Sequence, residues 1–99
     1  MDRRAVTAAL TLRREGARVG PERIALLDAV EACGSLTLAA QRLGLSYKGA
    51  WDAAQSLNNL FDAPLIEART GGARGGSAAL TERGRRVLDA FRRLQAELD

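Results

Sequence analysis

The chain has 99 residues, 15 of them lysine or arginine against 12 acidic, for a formal charge of +3, which is the length of one domain. Folding at this size buries somewhat over ~60% of the surface of the extended chain, so there is room for one modest core and no second module. A single cysteine, Cys33, and no histidine exclude a disulfide, a Cys/His zinc site and a histidine general base, and with them most enzyme classes.

The small cationic excess suits a polyanionic partner and equally an ordinary soluble protein, so the placement of charge matters more than its sum. Lys48 is the only lysine; the preference for arginine fits either a GC-rich genome or bidentate phosphate contacts. Much of the apolar content is alanine, so core volume must come from the leucines, Ile24, Ile66, Phe61, Phe91 and Trp51.

Met1-Asp-Arg-Arg4 followed by Ala5 to Leu12 imitates the start of a signal peptide. The apolar stretch is only about eight residues, runs into Arg13 and Arg14 and lacks a small-residue cleavage pattern, which argues against export. No run approaches the ~20 apolar residues of a membrane helix, and the expected location is the cytoplasm. Val6, Ala8, Leu10 and Leu12 alternate with Ala5, Thr7, Ala9 and Thr11, which predicts a strand over 5–13; the alanines leave a helix as the competing reading. Arg13 to Gly20 reads as a connector.

Pro21 suits the first position of a helix over 21–33, with Ile24, Leu27, Val30 and then Ala32 or Cys33 facing inward and Gly34 ending it. Cys33 reads as a small buried side chain. Ser35 or Thr37 can cap a second helix over 36–43, whose Leu36, Ala39, Ala40 and Leu43 point inward and which ends at Gly44. Ser46 opens a third helix over 46–61 with Ala50, Ala54, Leu57 and Phe61 as its inner stripe. Pro64 to Glu67 reads as a strand and Ala78 to Leu80 as its partner in a hairpin over 64–80. Thr81 can cap a last helix over 82–98, with Val87 or Leu88, Phe91, Leu94 and Leu98 inward.

Leu38 to Ala50 meets a demanding steric pattern. Two helices crossing steeply through a tight turn need a small residue where they touch (Ala40), a glycine in the turn (Gly44), flanking apolar residues (Leu43, Leu45) and an apolar residue inside the second helix (Ala50). The alternative is an ordinary helical hairpin in a small bundle. The hairpin that follows, with Arg69 and Arg74, points instead to a winged helix-turn-helix, mainly α with a small β-sheet: strand, three helices, wing hairpin and C-terminal helix.

At about 100° per residue, Lys48, Asp52, Gln55 and Asn59 fall opposite or beside the apolar sector of the third helix and form the candidate major-groove face. Lys48 and Gln55 can hold bases or phosphates, the helix N-terminus near Ser46 favours a phosphate, and Tyr47 brings a hydroxyl to the groove edge. Asp52 needs compensation, from a cytosine amine or from an arginine. Trp51 lies between the faces and can either cap the core or touch a thymine methyl or sugar. In the wing, Gly71, Gly72, Gly75 and Gly76 allow close backbone approach, and Arg74 can enter the minor groove or hold phosphate, unless the loop is merely solvated. A nucleotide-binding loop fails for want of the closing lysine and Ser/Thr. The last helix can pack on its own domain, pair with a second copy, or do both.

Gly44-Leu-Ser-Tyr-Lys-Gly-Ala-Trp-Asp-Ala53, the Asn58 region, Pro64-Leu-Ile-Glu67, Thr70-Gly-Gly72 and Leu80-Thr81 with Gly84 give the chain its likeness to a known family. It resembles the N-terminal DNA-binding domain of ModE-type molybdate-responsive regulators and, more distantly, the LysR-type winged helices. The resemblance covers roughly 10–94 and implies a recognition helix from Ser46, a wing at Gly71 to Gly76 and a homodimer on double-stranded DNA. Family members carry Glu-Arg-Ala-Thr-Gly-Gly-Lys in the wing; here Ala68 and Arg69 stand in swapped order, Ala73 replaces the lysine and Arg74 follows it, which shifts the register of the basic group. The molybdate-binding domains of full-length members lie beyond this region, so the resemblance implies DNA binding and no molybdate sensing within 1–99.

The expectation is thus a sequence-specific DNA-binding transcription regulator without its own effector domain, with no cofactor, small-molecule ligand or membrane partner. Its DNA contacts are expected from Ser46, Tyr47, Lys48, Trp51, Asp52, Gln55, Asn59, Arg69 and Arg74. The rival is a winged-helix module that pairs with a partner protein or a full-length regulator without reading DNA. An enzyme is a distant third, since neither paired carboxylates, a nucleophile with its base, nor a metal cluster can be assembled.

Overall fold

The computed structural model describes residues 12–14, 17–61, 63–69 and 76–98, with 12–14 and 17–19 described by their backbone alone. Along the chain lie β1 (Leu12–Arg14), β2 (Ala17–Val19), α1 (Pro21–Cys33), α2 (Leu36–Leu43), α3 (Tyr47–Leu60), β3 (Ile66–Arg69), β4 (Ser77–Leu80) and α4 (Glu82–Leu98). This is a winged helix-turn-helix, mainly α with small antiparallel sheets.

The strand expected over 5–13 lies outside the described residues up to 11; its end falls in β1. The segment read as a connector instead supplies β2, paired antiparallel to β1 with Leu12 opposite Val19 and Arg14 opposite Ala17. Three residues per strand are too few for an alternating pattern to stand out among charges, so the pairing left no mark in the hydropathy.

The helix boundaries follow from caps. Gly34 and Gly44 take positive φ of 67° and 71°, a backbone conformation that glycine adopts without strain, and each amide bonds back into the helix it ends. Ser35, rather than Thr37, caps α2 by accepting from the Leu38 amide. Thr81 caps α4 by accepting from the Gly84 amide at 3.0 Å.

The core joins Ile24, Leu26, Leu27 and Val30 of α1, Leu36, Ala39 and Ala40 of α2, Ala50, Ala54 and Leu57 of α3, Leu65, Ile66, Ala78 and Leu80 of the wing, and Leu88 and Phe91 of α4. Cys33 is half-buried, not enclosed, because it closes α1 at the edge of this cluster. Leu94 and Leu98, expected to point inward, are 41% and 53% exposed. The first turns of α4 lie on α1 and β4, and its last two turns run past the core. Arg92 anchors the helix by bonding Asp28 and Glu31 of α1; its hydrogen bond with Asp28, ahead of the other influences, raises the guanidinium pKa above the ordinary value.

Candidate nucleic-acid interface

The helix-turn-helix places α3 across α2 with one long side free. Ser46 fixes its start by accepting from the Gly49 amide at 3.0 Å, satisfying one of the amides that a helix N-terminus leaves without an intrahelical partner. Ala50, Ala54 and Leu57 are buried, and Phe61 packs half-buried against the core. Tyr47, Lys48, Trp51, Asp52, Gln55 and Asn59 are all exposed and share a contiguous sector of the helix.

Hydrogen bonds at the two edges of that sector fix the rotation of α3. On one edge, Ser56 accepts from the Arg23 guanidinium of α1 at 3.2 Å. On the other, Asn58 binds the entry to the wing. Its Oδ1 accepts from the amides of Leu65 (2.8 Å) and Ile66 (3.0 Å), and its Nδ2 donates to the Ile66 carbonyl at 2.9 Å. The side-chain amide thus takes the place of a neighbouring strand at the start of β3, which is why the strand begins at Ile66 and not at Pro64 as the sequence suggested. Thr81 completes the clamp: its hydroxyl donates to the Pro64 carbonyl at 2.8 Å and its amide to the Leu65 carbonyl at 3.0 Å.

The wing pairs Ile66 with Leu80 and Arg69 with Ser77, so Ser77 belongs to β4. The Ala78 amide donates to the Gly34 carbonyl at 3.0 Å, which docks β4 on the α1–α2 turn. Tyr47, Arg69, Gly76 and Ser77 meet Leu36 and Thr37 around a small notch, so the start of the free face of α3 adjoins the loop end of the paired wing strands. Arg69 is exposed there. Arg74, with Gly71, Gly72 and Gly75, lies outside the described residues.

The structure brings Ser46, Tyr47, Lys48, Trp51, Asp52, Gln55 and Asn59 onto one surface, with Arg69 beside it. Trp51, left open between core and surface, is 41% exposed. Asp52 pairs with Lys48 at 2.9 Å and not with an arginine, because Lys48 stands one helical turn before it on the same side. The wing-holding role of Asn58 was missed in the sequence; the signal available was a polar residue at the border of the apolar sector, shortly before a proline-led segment whose amides need partners. Among the described residues, no group of three or more His, Cys, Asp and Glu could hold a metal, and no helix is long and apolar enough to cross a membrane.

Comparison with known proteins agrees with this fold. Residues 21–85 match the family model of bacterial regulatory helix-turn-helix proteins of the lysR family. The chain belongs to that family. Among the relatives of this LysR-family chain, the molybdenum-pterin-binding protein MopA of Rhodobacter capsulatus is 48% identical over 99% of the chain and 37% of MopA. The DNA-binding transcriptional dual regulator ModE of Escherichia coli K12 is 42% identical over 72% of the chain and 27% of ModE. The chain thus spans between about a quarter and somewhat over a third of the length of these relatives. The solved CbnR_DBD–DNA complex shares 28% identity at a TM-score of 0.60, covering 78% of this chain and 82% of that one. FabT of Streptococcus pneumoniae, solved in complex with DNA, shares the fold at a TM-score of 0.65 and 13% identity, over 81% of this chain and 57% of FabT.

Proposed function

We propose that this LysR-family chain is the DNA-reading unit of a ModE-type transcription regulator and that it binds double-stranded DNA through the exposed face of α3. The observation that carries the reading is that face itself. Lys48, Trp51, Asp52, Gln55 and Asn59 are free of the core, while Asn58 and Ser56 lock the helix in rotation beside the wing. A helix held rigidly with polar and aromatic side chains outward suits the major groove. The likeness to the CbnR_DBD–DNA complex and to ModE supports the same reading.

In this account Ser46 and the start of α3 hold a phosphate, Tyr47 and Arg69 reach the backbone at the wing side, and Lys48, Gln55 and Asn59 face base edges. Trp51 contacts a thymine methyl or sugar. Arg74 extends the contact into the minor groove from the wing tip. The chain acts as a homodimer, with the outer turns of α4 as the seam: Leu94 and Leu98 are exposed there, and two symmetric copies would meet half-sites about one turn, ~34 Å, apart. The regulator acts on molybdenum-related genes in the cytoplasm and catalyses no reaction.

Fluorescence anisotropy of a labelled genomic duplex, titrated at several salt concentrations, tests the reading. Affinity that falls steeply with salt and drops in Lys48→Ala and Arg69→Ala supports it. No binding to genomic fragments at low salt refutes it and favours the protein-pairing module.

A further inference from the structure

Lys48 and Asp52 form a donor and an acceptor held side by side on the free face of α3, Nζ and Oδ2 being 2.9 Å apart. The pair contributes little to the helix. Both side chains are more than half exposed, at 84% and 54%, and exposed pairs at this spacing are weak. A cation preceding the anion is also the less favourable order along the helix dipole. Yet the pair cancels the charge of the surface that should meet a polyanion: on the exposed sector of α3, Lys48 is the one cation and Asp52 the one anion.

We infer that Lys48 and Asp52 act as one unit that reads a single G·C base pair in the major groove, which deepens the DNA-reading function and rests on it. In a G·C pair, guanine presents the acceptors N7 and O6, and cytosine presents the N4 amine next to O6. O6 and N4 are joined by a base-pair hydrogen bond and so stand about 2.9–3.0 Å apart, the spacing of the protein pair. The ammonium spans N7 and O6 while the carboxylate accepts from N4. Beyond N4 the edge carries only a C–H, so the carboxylate meets no second acceptor. An A·T pair breaks this match: a carboxylate on the adenine amine lies beside the thymine O4, which repels it. Where neither amine is in reach, the carboxylate faces acceptors or phosphates, so Asp52 works by rejecting wrong sequences as much as by binding the right one.

The test is selection of binding sites from a randomised duplex library by the full chain and by its Asp52→Asn and Asp52→Ala variants. Asp52 is exposed, and thermal melts of both variants establish that they remain folded. The wild type is expected to enrich a motif with one G·C position in each half-site, preferred over A·T by about tenfold. In D52N, whose side chain can both donate and accept as adenine N7 and N6 require, that position moves to A·T while the others stay. In D52A it becomes degenerate, and affinity for duplexes outside the motif rises severalfold because a repelling charge is gone. A motif unchanged between wild type and D52N overturns the inference and leaves the proposed function standing. A library from which the wild type enriches no motif overturns both.

Discussion

Replacing Asn58 by alanine removes the side chain that holds the wing to α3. The buried backbone of Leu65 and Ile66 then loses three partners at 2.8–3.0 Å, in a place where neither residue exceeds 3% exposure. At roughly 0.5–1.5 kcal/mol net per hydrogen bond the loss is about 3 kcal/mol. Alanine recovers somewhat under 1 kcal/mol through its higher helix propensity. A net destabilisation of about 2 kcal/mol should lower the melting midpoint by about 10 °C in a domain of this size. Asn58→Asp keeps the two acceptor contacts but sets a carboxylate oxygen against the Ile66 carbonyl where the amide donated, so it too should melt below wild type. Thermal unfolding followed by far-UV circular dichroism, with urea titration as the second readout, measures both. A midpoint for Asn58→Ala within about 2 °C of wild type refutes the claim that this amide anchors the wing, since the net loss would then be under about 0.5 kcal/mol in place of about 2.

Gly84→Ala should also destabilise the domain, because a Cβ there would stand 2.1 Å from the Leu65 carbonyl oxygen, which the Thr81 amide already holds. About 1–3 kcal/mol of strain against roughly 1 kcal/mol of propensity gain predicts a lower urea midpoint, and a more stable variant contradicts the packing. Ser46→Ala removes the cap of α3 and should cost about 1 kcal/mol in the same titration; no change would mean the cap contributes nothing. Leu94→Glu with Leu98→Glu should shift sedimentation from dimer to monomer while the monomer keeps a cooperative unfolding transition, because both side chains are exposed; a dimer that persists rules out this seam.

What the sequence revealed depended on the range of the interactions. Helix ends were legible because they are set locally, by Gly34, Gly44, Ser46 and Thr81, and so was the buried stripe of α3. The β1–β2 pairing was not, since three-residue strands carry too little pattern. Leu94 and Leu98 continue an amphipathic period, and period alone does not tell where the neighbouring elements stop. The start of β3 depended on Asn58, whose partners lie seven and eight positions away along the chain. For the candidate site, the shared face of Lys48, Asp52, Gln55 and Asn59 could be read from helical geometry. The pairing of Lys48 with Asp52 was also legible in their spacing, one helical turn apart on the same side, although Asp52 was expected to turn to a cytosine amine or an arginine.

The central claim, that the free face of α3 meets DNA, is tested most directly by amide chemical-shift changes in the isotope-labelled chain on adding a duplex recovered from the randomised library. Binding through that face should give the largest shifts along 46–60 and at 66–69 and 77–80, with the side of α1 that faces Arg92 nearly silent. Shifts confined to α1 and α4, with 46–60 unmoved at saturation, contradict it.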